Sequence, residues 1–586
     1  MSESNRDALS SLSNQDKEKL DEIQAYLQNS LDELHIAGTA VAIVKDGNVI
    51  LQEGFGLRDV EQGLPVTKDT LFAIGSSTKA FTTTSLAMLV DDGKLEWDAP
   101  VSSYLPEFEL HDKYASEHAT LRDLATHRVG LPRHDLVWYK APISRQEILK
   151  RLRYLPFTKP FRTTFQYQNM MYMTLGYLVG KVSGEGWEHF VKSRVLTPLG
   201  MHRTNFSVNQ SQQDADFAKP YKFVDEEIQE MPFANLDALG PAGSINSSVS
   251  EMIEWVKLHL GKGKHNGSQL VSENNVVQMH TPHIPAANEN LDNRVLFQSY
   301  ALGWFTEVYG GRHIVHHGGN IDGFSAIVAM VPEEQLGVVV LTNQQQSLLP
   351  RAAAYTIFDK FLGLTAVDWN GKGKEYMEKI AASMREGSNS DEENRVKATH
   401  PSHTLTDYVG EFAHPAYGVV SVTLDNETLL LSHHSQEKPL LLEHFHYDVF
   451  AMTIGDGDTA QQYKVQFHTD VRGTIASLYI QFELLLDAFE FVRKPSVESL
   501  SREVLNQYVG TYDLNGADVT VALRKDDTLV VTVPGQPAYE LVPVANAEFD
   551  IKALPGFSVQ FVMDDSGVCS EVNFKQPNGT FVLKRR

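Results

Sequence analysis

Three short stretches carry residue types that could make and break an acyl bond. In the first, Phe72-Ala-Ile-Gly-Ser76-Ser-Thr-Lys79-Ala-Phe-Thr follows a short apolar run and opens a helical pattern reaching about Asp91. A lysine three residues after a serine at a helix start lies one turn later on the same face. A hydroxyl becomes a nucleophile once a base takes its proton. A lysine can be that base only if burial or nearby positive potential depresses its pKa, and the N-terminal end of a helix supplies such potential. The second stretch, Phe165-Gln-Tyr167-Gln-Asn169, precedes a helical run through Met171, Leu175, Leu178, Val179 and Val182 that ends at Gly184. Tyr167 offers a phenol as general acid or base, and Asn169 is suited to cap the helix. The third, His317-Gly318-Gly319-Asn320-Ile-Asp322-Gly323-Phe324, falls where one strand pattern ends and the next begins. A strand edge stripped of side chains lets a substrate backbone lie against it, and the Asn320 amide could join that of Ser76 as an oxyanion hole. Alternation along a strand turns His316 and His317 to opposite faces, so one of the two reaches the site.

Each stretch alone has a plainer reading. Ser76 could be a capping serine with Lys79 a solvated first-turn residue, Tyr167 a packed aromatic, and the third stretch a glycine-rich turn beside a histidine. The Ser-x-x-Lys spacing also recurs as Ser435-Gln-Glu-Lys438, among strand patterns where three residues apart means opposite faces. The elements around the stretches narrow the choice. Leu20, Ile23, Leu27, Leu31 and Leu34 mark one face of an amphipathic helix stopped by Gly38. Thr39 to Val44 and Val49 to Phe55 read as a hairpin about Asp46-Gly47. Far downstream, His313 to His317, Phe324 to Val331 and Leu336 to Thr342 read as strands, with a helix from about Arg351 to Leu362. Strands at both ends of a mainly helical middle, about residues 70–300, imply one domain whose termini meet in a single antiparallel sheet.

After Thr365 the texture changes. Residues 366–400 are charge-dense, with Gly387-Ser388-Asn389-Ser390 before Asp391-Glu392-Glu393, and read as a helical then flexible linker. Strand periodicity follows, and Leu405-Thr-Asp-Tyr408-Val409-Gly410-Glu-Phe412 recurs one hundred residues later as Leu505-Asn-Gln-Tyr508-Val509-Gly510-Thr-Tyr512. A duplication of β-barrel-like modules accounts for this, since closure removes sheet edges. The expected organisation is residues 1–365, a linker at 366–400, and β modules at 401–496 and 497–586. The fold class is α+β, an antiparallel sheet flanked by helices plus a helical region, followed by two all-β barrel-like domains.

Ser76-x-x-Lys79, Tyr167-x-Asn169 and His317-x-Gly319, in that order, resemble the motifs of the serine β-lactamase and penicillin-binding superfamily. Flanking text over most of residues 20–365 is similar too: Leu124-Ala-Thr-His127-Arg-Val-Gly130-Leu-Pro132, Pro198-Leu-Gly-Met201, Gly240-Pro-Ala-Gly243-Ser and Tyr300-Ala-Leu-Gly303-Trp304. The subgroup it most resembles is the class C β-lactamase-like hydrolases, peptidase family S12, with its D-aminopeptidases, D,D-carboxypeptidases and esterases. The duplicated tail resembles their lipocalin-like accessory modules. The resemblance implies Ser76 as acylated nucleophile, Lys79 as its activating partner, and Tyr167 as proton shuttle. It implies Asn169 orienting substrate or Lys79, and the amides of Ser76 and Asn320, beside Gly319, holding the oxyanion. Where β-lactamases usually carry Lys, this chain has His317, whose charge is expected to be partial near neutral pH. That favours peptide, amide or ester substrates over β-lactams.

Lys plus Arg total 51 against 75 Asp plus Glu, a formal net charge of −24, which disfavours a nucleic-acid or anionic-lipid partner. Cys569 is the only cysteine, so no internal disulfide, Cys₄ zinc site or iron–sulfur cluster can form. No signal-peptide core is seen in Met1 to Leu12 and no apolar run approaches a membrane span, so a cytoplasmic location is expected. Histidines gather at His313, His316 and His317 and at His433, His434, His444 and His446, the latter expected at the surface of a β module. No His-Glu-x-x-His is present, and neither metal nor cofactor is expected. The expected function is a serine hydrolase that acts through an acyl-enzyme on amide bonds of small peptides, as an aminopeptidase or D-amino-acid peptidase. The alternatives are a carboxylesterase or acyltransferase, a low-activity β-lactamase, an acylation sensor or a ligand-binding protein. Its partner would be a small-molecule or short-peptide substrate, with homo-oligomer formation left open.

Overall fold

The computed structural model describes residues 13–286, 291–393, 395–455, 461–482, 486–494, 500–545, 547–554, 557–564, 568–576 and 579–586. Its first helix, Asn14–Glu33, is capped by the Ser13 hydroxyl, which accepts from the Asp16 amide at 3.0 Å. The helix ends before Gly38, with His35 taking a left-handed φ of 53°. The Asp46-Gly47 turn, with φ of 50° and 78°, joins strands Gly38–Lys45 and Asn48–Asp59. Positive φ at both central residues is the turn that matches strand twist.

The two ends of the front region close one nine-stranded sheet. Its order is Ile284–Pro285, Val295–Tyr300, Phe305–Tyr309, Arg312–Ile321, Phe324–Val331, Leu336–Thr342, Gly38–Lys45, Asn48–Asp59 and Leu64–Pro65. Antiparallel pairing of Thr39 with Thr342, continuing to Lys45 with Leu336, is the meeting of termini expected from the apolar pattern. Alternation decides which side each residue faces. Val41 and Ile43 join Leu20, Ile23, Leu27 and Ile357 under the helices Asn14–Glu33 and Leu349–Phe361. Ala40, Ala42 and Val44 face the helical region with Phe81, Trp255 and Leu175. Each such large side chain removed from water contributes about 1.5–3 kcal/mol, so a one-residue slip of the central strand would exchange two cores. That region contains the helices Thr78–Asp91, Asn169–Ser183 and Val249–Leu260.

Beyond the sheet, one helix runs from Trp369 to Glu393, through the Gly387–Ser390 stretch where the sequence suggests flexibility. Two closed eight-stranded antiparallel barrels follow. The first runs from Gly410–His414 to Phe489–Arg493, the second from Gly510–Leu514 to Gly579–Arg585. In both, the first strand pairs with the last, Ala413 with Val492 and Asp513 with Lys584, so no open edge is left. The repeated Tyr-Val-Gly segment enters each barrel in the same way. Tyr408 and Tyr508 are buried, and an arginine from the last strand binds the carbonyls beside them. Arg493 donates to the carbonyls of Asp407, Val409 and Ile475 at 2.6–2.8 Å, and Arg585 to Val509 at 2.6 Å and Cys569 at 3.2 Å. Among the described residues no helix is long and apolar enough to cross a membrane.

Arg493→Met keeps the packing stem but leaves those carbonyls without their donor. The first barrel should lose about 1–3 kcal/mol, read as a lower urea midpoint at unchanged slope for the full-length chain.

Candidate active site

Ser76 sits in a 3₁₀ turn, Gly75–Ser77, that leads directly into the helix Thr78–Asp91. It does not cap that helix: no side chain bonds the first-turn amides there. Gly75 has φ of +50°, and a β carbon on it would lie 2.9 Å from the Asn320 nitrogen. A β carbon on Gly319 would lie 1.9 Å from the Ile74 carbonyl oxygen. The two bare backbones therefore press together, which brings the third stretch against the first and Asn320 beside Gly75 and Ser76. The Ser77 hydroxyl adds a 3.0 Å bond to the His317 carbonyl.

Lys79 is fully buried, and its Nζ has three oxygens around it: Ser76 Oγ at 3.0 Å, Asn169 Oδ1 at 2.8 Å and the Ala242 carbonyl at 2.8 Å. Asn169 Nδ2 donates to Asp135 Oδ1 at 3.1 Å, and that carboxylate, which only accepts, sets which way round the amide lies. Burial holds the Lys79 pKa well below its ordinary value, and repulsion from Arg133 adds to this against the attraction of Asp135. A neutral amine has two N–H donors and one lone pair. Asn169 Oδ1 and the Ala242 carbonyl take the two hydrogens, so the lone pair is left for the Ser76 hydroxyl to donate into. The arrangement can take a proton from Ser76 without any rearrangement.

Tyr167 lies beside this pair. Its ring is 4.7 Å from Lys79 Nζ, Ser76 is a hydrogen-bonding neighbour of its hydroxyl, and burial raises its pKa, so it remains a phenol. His127 packs on it with the rings tilted by 36° and their centres 4.4 Å apart, and accepts from the Gln168 amide through Nδ1 at 3.0 Å. Asn169 is not the helix cap: Gln168 caps, its side chain accepting from the Met170 amide at 2.8 Å, which releases the Asn169 side chain to bind Lys79.

His317 reaches the site side of its strand and His316 the other, where it faces Glu307 at 3.4 Å. The expected partial charge on His317 is corrected by its surroundings. Burial, then repulsion from Lys79, pushes its pKa down to about 3. Its Nδ1 donates to the Gly318 carbonyl at 2.6 Å and its Nε2 accepts from the Tyr300 hydroxyl at 2.9 Å, the pattern of a neutral ring. The third stretch therefore brings no cation to the site. Ser435 and Lys438 lie in a turn of the first barrel, where Ser435 Oγ bonds His433 at 2.7 Å. His433 is buried and also bonds the Tyr417 carbonyl, so it is not the surface residue its surroundings in the sequence suggest. Among the described residues no three His, Cys, Asp or Glu side chains gather where they could hold a metal ion.

Ser76 opens onto a cavity of about 810 Å³ that also meets Tyr167, His317, Gly318 and Asn320. Its lining passes on to the His316 side of the strand, where Arg351, Trp369, Lys372 and Tyr376 lie, so the helix after the sheet borders the part farthest from Ser76. Arg133, Arg351 and Lys372 line it, and no Asp or Glu among the described residues does. Arg351 is partly balanced by Glu307, 4.0 Å away and held as a carboxylate, its pKa down to about 2 despite burial, by His316, Arg351 and the Tyr355 hydroxyl. Sequence reasoning missed Asp135, Arg133 and the Ala242 carbonyl. Gly240–Gly243 is recognisable as a motif, but its contribution is a backbone oxygen.

Because Arg133 helps keep Lys79 neutral, Arg133→Gln should raise the Lys79 pKa. The acid limb of kcat/KM for ester hydrolysis should then move to higher pH than in the unaltered protein, measured between pH 4 and 9.

The family model described as Beta-lactamase matches residues 23–359, and one described as a domain of unknown function, DUF3471, matches residues 394–493. A curated relative, "Unguisins hydrolase ungD'" of Aspergillus campestris, is 30% identical over 432 residues, 69% of this chain and 78% of that protein. The octameric penicillin-binding protein homologue from Pyrococcus abyssi superposes with a TM-score of 0.53 at 22% identity, over 81% of this chain and 100% of that one. D-amino acid amidase from Ochrobactrum anthropi SV3 superposes at 0.50 and 21% identity, over 59% of this chain and 98% of that one. With the family match spanning more than half its length, this chain belongs to the beta-lactamase family, within the serine β-lactamase and penicillin-binding-protein superfamily.

Proposed function

We propose that this beta-lactamase-family hydrolase works through an ester at Ser76 and cleaves amide bonds of small peptides. The carrying observation is the fully buried Lys79 Nζ, 3.0 Å from Ser76 Oγ and 2.8 Å from each of two further acceptors, Asn169 Oδ1 and the Ala242 carbonyl. Ser76 Oγ attacks the substrate carbonyl as its proton passes to Lys79. The amides of Ser76 and Asn320, beside Gly319, hold the oxyanion. The proton returns through the Tyr167 phenol to the departing amine, and the acyl group stays on Ser76 until water hydrolyses the ester. Esters fit the same steps with an easier leaving group, so esterase and acyltransferase turnover belong to the same reading.

The cavity lining narrows the substrate. An aminopeptidase needs a partner for the substrate's ammonium, and no described lining residue carries a carboxylate. Cations on a lining inside a protein of net charge −24 favour a substrate end that is anionic or neutral.

A fluorophosphonate probe should label the protein at Ser76, and Ser76→Ala should abolish both labelling and turnover, while Ser435→Ala leaves both intact. The reverse pattern would overturn the assignment. Lys79→Met and Tyr167→Phe should each slow acylation by about 10²–10⁴-fold. Matched dipeptide anilides should show a lower KM with the amino end blocked than with it free.

A further inference from the structure

Residues 132–140 lie between the Ser76 site and the first barrel and bond to both. On the inner side, Asp135 Oδ1 accepts from Asn169 Nδ2 and from the Trp138 indole, each at 3.1 Å. The Arg133 guanidinium lies 5.3 Å from the Tyr167 ring centre. The carbonyls of Pro132 and Arg133 accept from the Gln168 side-chain amide at 2.5 and 3.0 Å. The Tyr139 hydroxyl donates to Asp322, in the turn within the third stretch.

On the outer side the partners belong to two turns of the first barrel. Tyr417, between strands Gly410–His414 and Gly418–Asp425, brings its hydroxyl to His134 Nδ1 at 2.7 Å. Between strands Thr428–Ser432 and Leu440–His446, His434 Nε2 donates to the Leu136 carbonyl at 3.0 Å and Glu437 pairs with Lys140 at 2.8 Å. Arg151 adds a bond to the Ala416 carbonyl at 2.9 Å. His134 and Tyr417 are both fully buried in this contact. His134 also stands at φ 50°, ψ 42°. That region is unfavourable for a residue with a β carbon and persists where its surroundings hold it.

We infer that Tyr417 and His434 of the first barrel are positioning residues for the Ser76 site: they hold residues 133–140 so that Asp135 keeps Asn169, and Asn169 keeps the Lys79 amine, on the serine. The inference rests on the roles proposed above for Ser76 and Lys79. Its physical basis is the single orientation that Asn169 must keep. With Asp135 displaced, its amide can turn its NH₂ toward Lys79, and the amine loses one of the two acceptors that aim its lone pair. A misplacement of about 1 Å at such a relay is enough to cost up to about a hundred-fold in rate. The barrel then acts on kcat without touching substrate.

The test uses the full-length protein with p-nitrophenyl butyrate. Tyr417→Phe and His434→Leu should each lower kcat about ten-fold or more with KM within about two-fold. His434→Gln, which keeps an N–H donor toward Leu136, should recover most of the lost kcat. Hydrogen exchange of the amides in 133–140 should quicken in Tyr417→Phe while the strands of the barrel keep their protection. Unaltered kcat in both loss variants overturns the inference, as does faster exchange throughout the barrel, which would make the effect one of general unfolding. Absence of Ser76 acylation in the unaltered protein defeats the functional reading instead, and the exchange experiment still decides whether Tyr417 holds the segment.

Discussion

A fully buried lysine amine is the constraint around which the front domain is arranged. Buried as an ammonium it would need three acceptors and a compensating charge. Buried neutral, it needs two acceptors and leaves one lone pair to aim. Lys79 has two such acceptors besides Ser76, from elements far apart in the chain: the Asn169 side chain and the Ala242 backbone. The helix Thr78–Asp91, the helix Asn169–Ser183 and the Gly240–Gly243 turn must therefore converge on one atom. The Thr82 hydroxyl, one turn beyond Lys79 minus one residue, bonds the Pro241 carbonyl at 2.7 Å and fixes that convergence from the same helix. Burial depresses the pKa of both His127 and His317, so the surroundings of the amine stay uncharged as well.

A second constraint is electrostatic and acts over the whole chain. With a net charge of −24, the exterior attracts cations and repels anions. The cavity departs from that composition, with arginines and a lysine in its lining and no carboxylate among the described residues there. His317 is neutral, so the third stretch does not supply the positive potential. The cations of the lining are Arg133, paired with Asp135 at 2.6 Å, at one end and Arg351, beside Glu307, with Lys372 at the other. The helix Trp369–Glu393 therefore does more than connect the sheet to the barrels, since its first turns carry part of the cavity wall.

Periodicity and turn chemistry made the scaffold legible. The Asp46-Gly47 hairpin, the three strands after His313, the helix after Leu349 and the duplicated barrels follow from residue patterns that act locally. Ser76, Lys79, Tyr167, Asn169, His317 and Asn320 also come together as their order in the chain suggests. What was not legible depends on burial and on backbone atoms. The charge of His317 follows from enclosure by Lys79 and Tyr300, which no spacing reports. Gln168 rather than Asn169 caps the helix because only one of two adjacent amides can turn back on the chain, and the other is claimed by Lys79. Asp135 and Arg133 lie in an irregular segment with no period, and the Ala242 contribution is a carbonyl that every residue possesses.

The two barrels show how one architecture can carry unequal duties. Both close through the same Tyr-Val-Gly entry and an arginine of the last strand. They differ at the end of the first barrel that faces residues 132–140. There the turn before Gly418 contains Tyr417, whereas the second barrel turns through Asn515-Gly516, with φ of 51° and 93°, and presents no aromatic side chain. The next turn carries His433, His434 and Glu437 in the first barrel and Val533-Pro534-Gly535-Gln536 in the second. Barrel closure constrains the strands and leaves the turns outside the ladder, where residue types can differ, and in the first barrel the Tyr417 ring also packs on Phe482 and Phe489 of its own core. The residues that meet the front domain are confined to those turns. The first barrel therefore reaches the active-site segment through side chains that also pack in its own core, and the second retains the same closure without that contact.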